Sequence, residues 1–561
     1  MAFFISAVAF AAHTAVATVA QKPKNVVFFF VDDLGYGNLM STGDPSASTP
    51  SIDSLAAQGK RLTNWYSGYP VCSASRTALL TGRQPSRVGM VGVINSLTSS
   101  GLPLDEVTLA DEMKASGYRT LALGKWHQGQ LPSYLPTNRG FDEFLGLPFS
   151  VDDGAGYLSP CGNMSVGERT ARIAAASNAA SMEQERHWSD VGAGLGPLLP
   201  LPLIRQIAAQ NVSEIVEQPT DLRLLTSRLL DHAVGFVRTH HQDPLFVYFA
   251  FGHVHTATET IAPDRQYSGC AFVGRTPRAF HDALAEVDHA IGTLLHEVEA
   301  LGQARDTLTL FTSDNGPSLR WRTGAGGVGP FVGASATFAN GTIYTNTGKG
   351  STWEGGIRMP AFAHWPGRVR AGSAASSVVS TLDVLPSLLH LLGRPTPGRT
   401  LDGSLALAEA LLLDTTECGR GEQPCHEEGR FLPFYNEPAY ANASHRIFAA
   451  RYGRYKAHWI TSPGLGGGLL PYRSPVPEVH HATPVLYDVA ADPAEAFPLA
   501  VDTLPPELLH ELAAQKHTYE VNLKPTSINT TWGYEYALCC GVGCTPPCVC
   551  QCKGVQLPTP A

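Results

Sequence analysis

The chain has 561 residues, of which 43% are apolar and 16% are charged, and its formal net charge is −9. This composition is typical of a globular protein with a large core, and the length fits one large domain and a smaller one. The negative charge, together with the lack of a long basic run, argues against a nucleic-acid partner.

The N-terminal segment, residues 1–20, contains no Lys, Arg, Asp or Glu and ends in small residues. This pattern predicts a cleaved signal peptide, and an uncleaved anchor or a buried helix or strand is the alternative. No later segment holds the roughly 20 continuous apolar residues that a membrane span needs. Sequons of the N-x-[ST] type agree with a secretory route, which leads to the lysosome or the cell exterior; they lie at Asn163, Asn211, Asn340, Asn442 and Asn529.

Strands and helices alternate along the chain. Apolar runs at residues 26–31, 120–124, 245–251 and 307–313 predict strands that are buried on both faces, as in a parallel sheet covered by helices. Helical patterns lie between them, at residues 51–59, 75–82, 108–117, 224–240 and 279–302. The alternation predicts an α/β domain.

Polar and ionisable residues follow each of the four predicted strands. In chain order they are Asp32 and Asp33, Lys125 and His127, His253 and His255, and Asp314 and Asn315. Taken singly, Asp-Asp-Leu-Gly after the first strand could be a turn, and Asp-Asn-Gly after the fourth is a common turn signal. Ligands of α/β sheets, however, bind beyond the carboxyl ends of the strands, so four such ends predict one functional site.

The chain divides into four predicted regions after the signal peptide. We assign residues 22–392 to the α/β domain, with a polar surface insertion at 162–197 and a glycine-rich loop over the site at 317–347. Residues 393–430 are predicted to be a connection. Strand-like patterns in residues 431–538, with a helix near 505–520, predict a smaller antiparallel domain, and residues 539–561 form a cysteine-rich tail.

Six of the eleven cysteines lie in the tail, in the run CCGVGCTPPCVCQC. Their spacing favours a disulfide-linked tail over a zinc knuckle, whose pairs are usually C-x₂-C and repeated. Cys418 and Cys425 are close enough in sequence to close a short loop, whereas the pairing of Cys161 and Cys270 stays open. Because eleven is odd, setting Cys72 apart leaves ten cysteines, enough for five bridges.

The predicted site combines oxygen ligands with fixed positive charge. Carboxylate and amide oxygens suit Ca²⁺ or Mg²⁺ better than Zn²⁺, and they come from Asp32, Asp33, Asp314 and Asn315. His253 and His255 share one face of a strand, which leaves a zinc ligand or a core histidine open; we favour His255 as a proton donor. Arg76, Lys125 and Lys349 would build a pocket for a tetrahedral oxyanion such as sulfate or phosphate.

Cys72 opens the stretch CSASRTALLTGR, residues 72–83. Cys72 and Arg76 would share one face of a helix whose N-terminus favours an anion. The stretch resembles the sulfatase signature C-x-P-S-R-x-x-x-L-x-T-G-R, with Ala74 where proline is usual. Further blocks resemble that family over most of residues 24–552, among them VVFFFVDDLGYGN, GLPLDEVTLADEM, GKWHQG, LFTSDNGP, GKGSTWEGGIRMPAF, STLDVLPSLLHLLG and LYDVAADPAE, and the tail resembles that of arylsulfatases.

The resemblance implies an alkaline-phosphatase-like α/β fold, with a large, mostly parallel sheet between helices and a C-terminal α+β domain that holds a four-stranded antiparallel sheet. It also implies hydrolysis of sulfate monoesters, such as aryl sulfates and sulfated glycolipids. The formylglycine-generating enzyme would convert Cys72 to formylglycine (3-oxoalanine), whose hydrate attacks sulfur with one hydroxyl and expels sulfate with the other. The metal would be Ca²⁺, with Mg²⁺ as the alternative, and a homo-oligomer is compatible with the family.

The resemblance also assigns roles residue by residue. Metal ligands would be Asp32, Asp33, Asp314 and Asn315, completed by the Cys72-derived group. Arg76 and Lys125 would hold the hydrate and sulfate, His127 would hydrogen-bond the hydrate, Ser150 would contact sulfate, and His255 and Lys349 would contact sulfate and the leaving oxygen. Asp314 could double as the base that activates the nucleophile.

Besides Ala74, the sequence shows two further departures from the family pattern, and it leaves two rival functions open. The insertion after Ser150 lacks a cysteine cluster, which leaves the substrate preference undecided, and Asn38 stands where Asp is frequent. A phosphatase or phosphonate monoester hydrolase of the same superfold is one rival; Lys125 and Lys349 stand in place of the extra Asp and His ligands of a two-metal phosphatase, which disfavours it. A non-catalytic sulfate-binding protein with unconverted Cys72 is the other.

Overall fold

The computed structural model describes residues 22–154, 156–159, 161, 200–256, 267–319, 324–333, 336–337, 343–344, 347–412, 430–436, 446–464, 478–528, 530–531, 536 and 538. The predicted signal peptide, the insertion at 162–197, Cys418, Cys425 and the cysteine-rich tail lie outside these residues. Among the described helices, none combines the length and the apolar character needed to cross a bilayer.

The predicted alternation of strands and helices is confirmed over the described chain. The strands are β1 (Asn25–Val31), β2 (Lys60–Tyr66), β3 (Arg119–Lys125), β4 (Glu143–Leu147), β5 (Leu203–Ile207), β6 (Val212–Glu217), β7 (Leu245–Ala250), β8 (Thr307–Ser313), β9 (Ala336–Thr337), β10 (Ile343–Tyr344), β11 (Phe362–His364), β12 (Ser373–Ser380), β13 (Phe431–Tyr435), β14 (Ile447–Tyr452), β15 (Tyr455–Thr461) and β16 (Val479–Asp488). The α-helices are α1 (Pro50–Gln58), α2 (Cys72–Thr81), α3 (Pro85–Val88), α4 (Leu109–Ala115), α5 (Leu222–His240), α6 (Ala279–Ala300), α7 (Glu354–Ile357), α8 (Val384–Leu391), α9 (Ala406–Leu412) and α10 (Pro506–Asn522).

One large mixed sheet organises the fold. Ten described strands form it in the order β12-β2-β11-β8-β1-β7-β3-β4-β5-β6. The four strands predicted from apolar runs, β1, β3, β7 and β8, are neighbours at its centre, and they pair in parallel. Strands β11, β5 and β6 run antiparallel to their neighbours. The parallel centre therefore brings four carboxyl ends to one edge of the sheet.

The central strands are apolar throughout because both faces of the sheet are covered. Along β1, Val26, Phe28 and Phe30 pack into one apolar layer that includes residues of α2, α4, α8 and α9. Val27, Phe29 and Val31 point to the opposite layer, with residues of α1, α5 and α6. Burying one such side chain contributes roughly 1.5–3 kcal/mol. The predicted arrangement of a sheet between helices is confirmed.

A second sheet follows in the C-terminal region. Strands β13 to β16 form an antiparallel four-stranded sheet in chain order, and Leu512 of α10 packs into its apolar face. The segment predicted as a connection contains α9, whose Leu407 and Leu411 are buried in the core of the large sheet. The Gly- and Pro-rich composition of residues 393–430 concealed this short helix.

The structure contains a disulfide between Cys161 and Cys270, whose pairing the sequence left open. Cys161 and Cys270 are bonded, with their Cα atoms 5.3 Å apart and 109 residues between them in sequence. Among the described cysteines, Cys72 is the free one, and it is buried. The arithmetic that set Cys72 apart from the bridges therefore agrees with the structure as far as the described residues reach.

Glu354 at the start of α7 lies in a buried ionic cluster between the two sheets. Its carboxylate is 2.9 Å from Lys456 Nζ on β15 and 3.1 Å from the Arg358 guanidinium. Tyr66 on β2 donates a hydrogen bond of 2.8 Å to the same carboxylate. Burial alone would raise the pKa of Glu354, but Lys456, Arg358 and Arg451 together lower it from 4.5 to about 2.

We expect Glu354→Gln to lower the free energy of unfolding by about 3–5 kcal/mol, because it leaves buried cations short of a partner. The folded-state pKa of Glu354 lies below its ordinary value, so its stabilisation is complete above pH 4.5 and is lost as the pH falls toward about 2. Urea unfolding at neutral pH and across this window measures both effects. The exposed pair Arg446–Glu478 provides the control, since Glu478→Gln should change stability by less than about 1 kcal/mol. Equal losses in the two variants would contradict the assignment.

Candidate functional site

The carboxyl ends of β1, β3, β7 and β8 meet as predicted. Asp32 and Asp33 follow β1, Lys125 ends β3, His255 follows β7, and Asp314 and Asn315 follow β8. Asp32 Oδ2 is 2.6 Å from Lys125 Nζ, and Asp33 Oδ1 accepts a hydrogen bond of 2.7 Å from the Asn315 amide. The structure brings all eleven predicted site residues to this edge of the sheet, and all eleven are buried: Asp32, Asp33, Cys72, Arg76, Lys125, His127, Ser150, His255, Asp314, Asn315 and Lys349.

Cys72 is the first residue of α2, a helix whose residues are all buried. Its Sγ lies 3.0 Å from Lys349 Nζ, 3.5 Å from Asp32 Oδ1 and 4.0 Å from Asp33 Oδ1. Burial raises the pKa of the Cys72 thiol well above its usual range, although Lys125 and Lys349 oppose this shift. The unmodified side chain is therefore a neutral thiol and a weak nucleophile, because the thiolate is the reactive form.

Arg76 lies one helical turn after Cys72 and is held from two sides. Its guanidinium is 2.8 Å from Asp314 Oδ2, and it donates a hydrogen bond of 2.9 Å to the backbone oxygen of Lys125. Burial alone would lower the pKa of Arg76, but Asp314, Tyr248 and Asp32 together raise it above its ordinary value. Arg76 is thus a permanent, fully buried cation, and its position is fixed by Lys125 at the end of β3 and by Asp314 just after β8.

Two lysines add to this positive charge. Lys125 Nζ donates to Ser150 Oγ at 3.0 Å as well as to Asp32, and Lys349 Nζ donates to Asp33 Oδ1 at 2.7 Å. Burial alone would lower the pKa of each ammonium group, but the acidic groups around it, with Asp32 foremost at Lys125 and Asp33 foremost at Lys349, together outweigh this effect, so both pKa values are raised. Both ammonium groups therefore stay charged inside the protein, where they can hold an oxyanion without reorganising.

The oxygen atoms of the site fit a hard divalent cation. The Asn315 amide donates to Asp33 Oδ1 and to the backbone oxygen of Gly316, which leaves Asn315 Oδ1 buried without a hydrogen-bond donor among the described residues. Leaving a buried acceptor unsatisfied costs about 1–3 kcal/mol. Burial and the nearby Asp32 raise the pKa of Asp314, so this carboxylate also lacks enough positive charge around it. A divalent cation bound by oxygen ligands would satisfy both.

Two groups of side chains have their ligand atoms within 4.8 Å of one another among the described residues: Asp33, Cys72 and His255, and Asp32, Cys72 and Asp314. Both groups share Cys72, so they describe one centre rather than two. His253 belongs to neither group; its ring stacks on Tyr267 at 4.1 Å, and its Nε2 is 3.4 Å from Glu286. The zinc interpretation of the His253–His255 pair therefore finds no support in this geometry.

The two remaining histidines face the site differently. His127 Nε2 is 2.7 Å from the backbone oxygen of Ile94, whereas its Nδ1 is buried without a partner among the described residues. Burial, together with Lys125 and Arg76, lowers the pKa of His127 well below its usual range, so the ring is neutral. His255 Nε2 lies 3.6 Å from Asp33 Oδ2, and its Nδ1 is 2.8 Å from the Thr256 backbone oxygen. Each ring thus keeps one nitrogen for chemistry.

Asn38 has a structural role. Its Oδ1 accepts hydrogen bonds from the backbone N–H groups of Gly35, at 2.9 Å, and Gly327, at 3.1 Å. A side chain at Gly35 would clash with the backbone oxygen of Gly327, 2.2 Å from its Cβ, so the two segments pack closely. Asn38 therefore fastens the glycine-rich loop to the turn that carries Asp32 and Asp33.

Two acidic residues near the site were missed by the sequence argument. Asp152 Oδ1 is 3.8 Å from His255 Nε2, and Asp153 Oδ2 is 3.6 Å from His127 Nε2. The only signal in the sequence is that both residues follow Ser150 within three positions. An acidic pair in a loop is ordinarily a solvated turn, so nothing in the sequence distinguished this one.

Family models match almost the whole chain. A model described as sulfatase matches residues 24–394, and one described as the C-terminal region of aryl-sulfatase matches residues 427–552. Arylsulfatase A of Homo sapiens is 36% identical over 552 residues, which cover 95% of this chain and 96% of that protein. Steryl-sulfatase of Mus musculus is 31% identical over 569 residues, covering 94% and 86%.

Solved structures agree with this match. The PsFucS1 sulfatase from Pseudoalteromonas sp. superposes with a TM-score of 0.70 and 26% sequence identity, over 91% of this chain and 92% of that chain. The superposition extends over both sheets because it covers nearly the full length of each protein. The fold and the sequence therefore both relate the chain to sulfatases.

Proposed function

The chain belongs to the sulfatase family and is a sulfuric ester hydrolase, and we propose that it hydrolyses aryl sulfates and sulfated glycolipids with a formylglycine made from Cys72 and a bound Ca²⁺. One observation carries the proposal: Cys72 opens a buried helix within 3.0 Å of Lys349 Nζ and 3.5 Å of Asp32 Oδ1. A neutral thiol would be a poor nucleophile between an ammonium group and a carboxylate. A formylglycine made from this thiol would have a clear function at the same position.

Two groups would be added to the chain at this centre. Hydrated formylglycine at position 72 would supply a hydroxyl nucleophile for sulfur and a second hydroxyl for the release of sulfate. Ca²⁺, with Mg²⁺ as the alternative, would act as a Lewis acid toward the oxygens around it. Its ligands would be Asp32, Asp33, Asp314 and Asn315, and the unsatisfied Asn315 Oδ1 supports this assignment.

The chain's own residues would bind sulfate and move protons. Lys125, Lys349 and Arg76 supply fixed positive charge for the sulfate oxygens, and Ser150 is placed beside Lys125 to donate a further hydrogen bond. Asp314 would accept a proton from the nucleophilic hydroxyl, His127 would hold the second hydroxyl through Nδ1, and His255 would deliver a proton to the leaving oxygen. Each proton transfer of this kind contributes about 10²–10⁴-fold.

Sulfate is preferred over phosphate in this proposal because of the charge around the centre. A phosphatase with two metal ions needs acidic or histidine ligands where Lys125 and Lys349 place ammonium groups. Within the described chain, the candidate ligand groups also form one centre that shares Cys72. Rates on nitrophenyl sulfate and nitrophenyl phosphate distinguish the two activities, and faster phosphate hydrolysis would refute the preference.

The cellular setting is part of the same proposal. Conversion of Cys72 requires the formylglycine-generating enzyme, which places the protein in the secretory pathway and then in the lysosome or outside the cell. Asn211, one of the five sequons, is exposed in the turn between β5 and β6 and would be accessible to glycosylation. The other four are at Asn163, Asn340, Asn442 and Asn529, outside the described residues.

Mass spectrometry of the tryptic peptide Leu62–Arg76 tests the conversion directly. We expect protein purified from its own secretory pathway to give a peptide lighter than the cysteine form, which reacts with a hydrazide probe as an aldehyde does. An unmodified thiol in a protein that nevertheless binds sulfate would favour the non-catalytic alternative. Ala74, which stands where proline is usual in the signature, would then be the residue to test as the cause of the failed conversion. The same measurement on protein made without the converting enzyme provides the reference mass.

A further inference from the structure

Asp152 and Asp153, here called the acidic rim, lie at the opening of the positively charged pocket. The Asp152 side chain is 36% exposed and that of Asp153 is 22% exposed, whereas Lys125 and Arg76 are fully enclosed. The rim therefore lies between solvent and the buried cations. A sulfate ester that places its sulfate among those cations would extend its alcohol portion toward solvent, on the side where the rim lies.

The acidic rim has hydrogen-bonding capacity that the protein leaves unused. Asp152 Oδ1 and Asp153 Oδ2 are both shielded from solvent, and neither accepts a hydrogen bond from a described residue. Burial would raise the pKa of Asp152, but His255 and Lys125 lower it, so this carboxylate is ionised. Burial and Asp152 together raise the pKa of Asp153. The rim thus holds one negative charge beside the opening of the pocket, and one oxygen of each carboxylate has no hydrogen-bond donor among the described residues.

The position of the acidic rim matches that of the leaving alcohol. Asp152 Oδ1 is 3.8 Å from His255 Nε2, the nitrogen assigned to protonate the leaving oxygen. A substituent on the Asp152 side of the ester oxygen would therefore come within a few ångströms of this carboxylate. At about 4 Å the interaction between two unit charges is worth about 1 kcal/mol in bulk water and about 4 kcal/mol near a protein surface.

The backbone that carries the rim is tied down on both sides. Ser150 Oγ accepts from Lys125 Nζ, and Tyr157 N–H donates to the Thr220 backbone oxygen at 2.8 Å. Further along, the disulfide Cys161–Cys270 joins this segment to the segment that precedes α6. A carboxylate on a fixed loop can discriminate between ligands, because it cannot swing away to avoid an unfavourable charge.

We propose that the acidic rim selects the alcohol portion of the substrate, favouring sulfate esters with a hydroxyl or ammonium donor beside the ester oxygen and rejecting those with a second anion there. This inference rests on the proposed sulfatase function and names its substrate class. Asp152 and Asp153 are specificity-determining residues in this view. A polyanionic ester, in which a carboxylate or second sulfate neighbours the reacting group, would be a poor substrate.

Three nitrophenyl sulfates test the proposal, carrying a hydroxyl, an aminomethyl or a carboxylate group beside the ester oxygen, with unsubstituted nitrophenyl sulfate as reference. We compare kcat/KM of Asp152→Asn and of the double variant Asp152→Asn/Asp153→Asn with that of the wild type on each ester. Taking the ratio of variant to wild type cancels the intrinsic reactivity of each ester. Relative to the reference, we expect the double variant to gain about tenfold on the carboxylate ester and to lose about tenfold on the aminomethyl ester.

The outcomes separate failure of this inference from failure of the proposed function. If converted wild-type protein hydrolyses none of the esters, the proposed function itself is wrong. If Asp152→Asn lowers kcat on all esters equally, Asp152 acts through His255 and the selection is refuted. Asp243→Asn is the matched control, since Asp243 lies just before β7 at the opposite edge of the sheet and pairs with exposed Arg119; its ratios should not change.

Discussion

Cys72→Ala is expected to lower kcat on sulfate esters by about 10⁴-fold or more, because it removes the side chain from which the nucleophile is made. The helix that carries it should remain, since alanine is the best helix former and the lost side chain is small. Sulfate binding should also remain, because Arg76, Lys125 and Lys349 keep their carboxylate partners. Steady-state kinetics measure kcat, thermal unfolding measures stability, and displacement of a bound reporter probe by sulfate measures sulfate binding.

Two further variants at the start of α2 test whether the lost activity is due to the missing formylglycine. Cys72→Ser retains a hydroxyl but cannot be converted to the aldehyde, so we expect release of no more than one equivalent of alcohol and no turnover. Ala74→Pro restores the residue usual in the family signature. Proline is tolerated in the first turn of a helix, whose N–H groups have no intrahelical acceptor, so this control should keep activity. Full turnover by Cys72→Ser would refute the formylglycine mechanism.

Asn315→Ala is expected to give the second-largest loss, about 10²-fold or more in kcat, because it removes the uncharged oxygen ligand of the cation. The readout that does not depend on activity is the effect of Ca²⁺ on thermal unfolding. A cation that binds only the folded protein stabilises it by about 2.7 kcal/mol at a hundred times Kd. We expect the wild type to show this shift and the variant to need much more Ca²⁺ for the same shift.

Asn25→Ala is the matched control for the metal prediction. Asn25 is also buried, at the opposite end of β1, where its side chain donates to Gln303 at 2.8 Å. Its removal should reduce stability through the lost hydrogen bond while leaving the response to Ca²⁺ unchanged. If the two variants respond to Ca²⁺ alike, Asn315 is not a ligand and the site must be assigned differently.

Most of the candidate site residues could be found from the sequence because they stand next to a strong local pattern, whereas Ser150 was found only through the resemblance to the family. Asp32, Lys125 and Asp314 directly follow or end continuous apolar runs, and such runs predict strands buried on both faces. Once the strands are parallel, their carboxyl ends must share one edge, so the residues behind them are neighbours. Cys72 was found by a long motif, which is far more specific than its spacing to Arg76 alone.

Tertiary structure decided what has no local pattern. The partner of Cys161 lies 109 residues away, and sequence spacing alone cannot determine such a pairing. Glu354 reads as an ordinary acidic residue at the start of a short helix until β15 brings Lys456 beside it. The helix α9 is hidden in a Gly- and Pro-rich segment because its burial against the large sheet, rather than its propensity, stabilises it.

The sequence by itself determined the fold class, the family and eleven of the residues around the candidate site, because strand periodicity and long motifs are local properties of the chain. Only the tertiary structure decided which charges face one another across the site. Lys125 meets Asp32, Lys349 meets Asp33, and Asp152 meets His255 through contacts between segments far apart in sequence. Electrostatic energy depends on distance in space, and the path of the chain sets those distances only after folding.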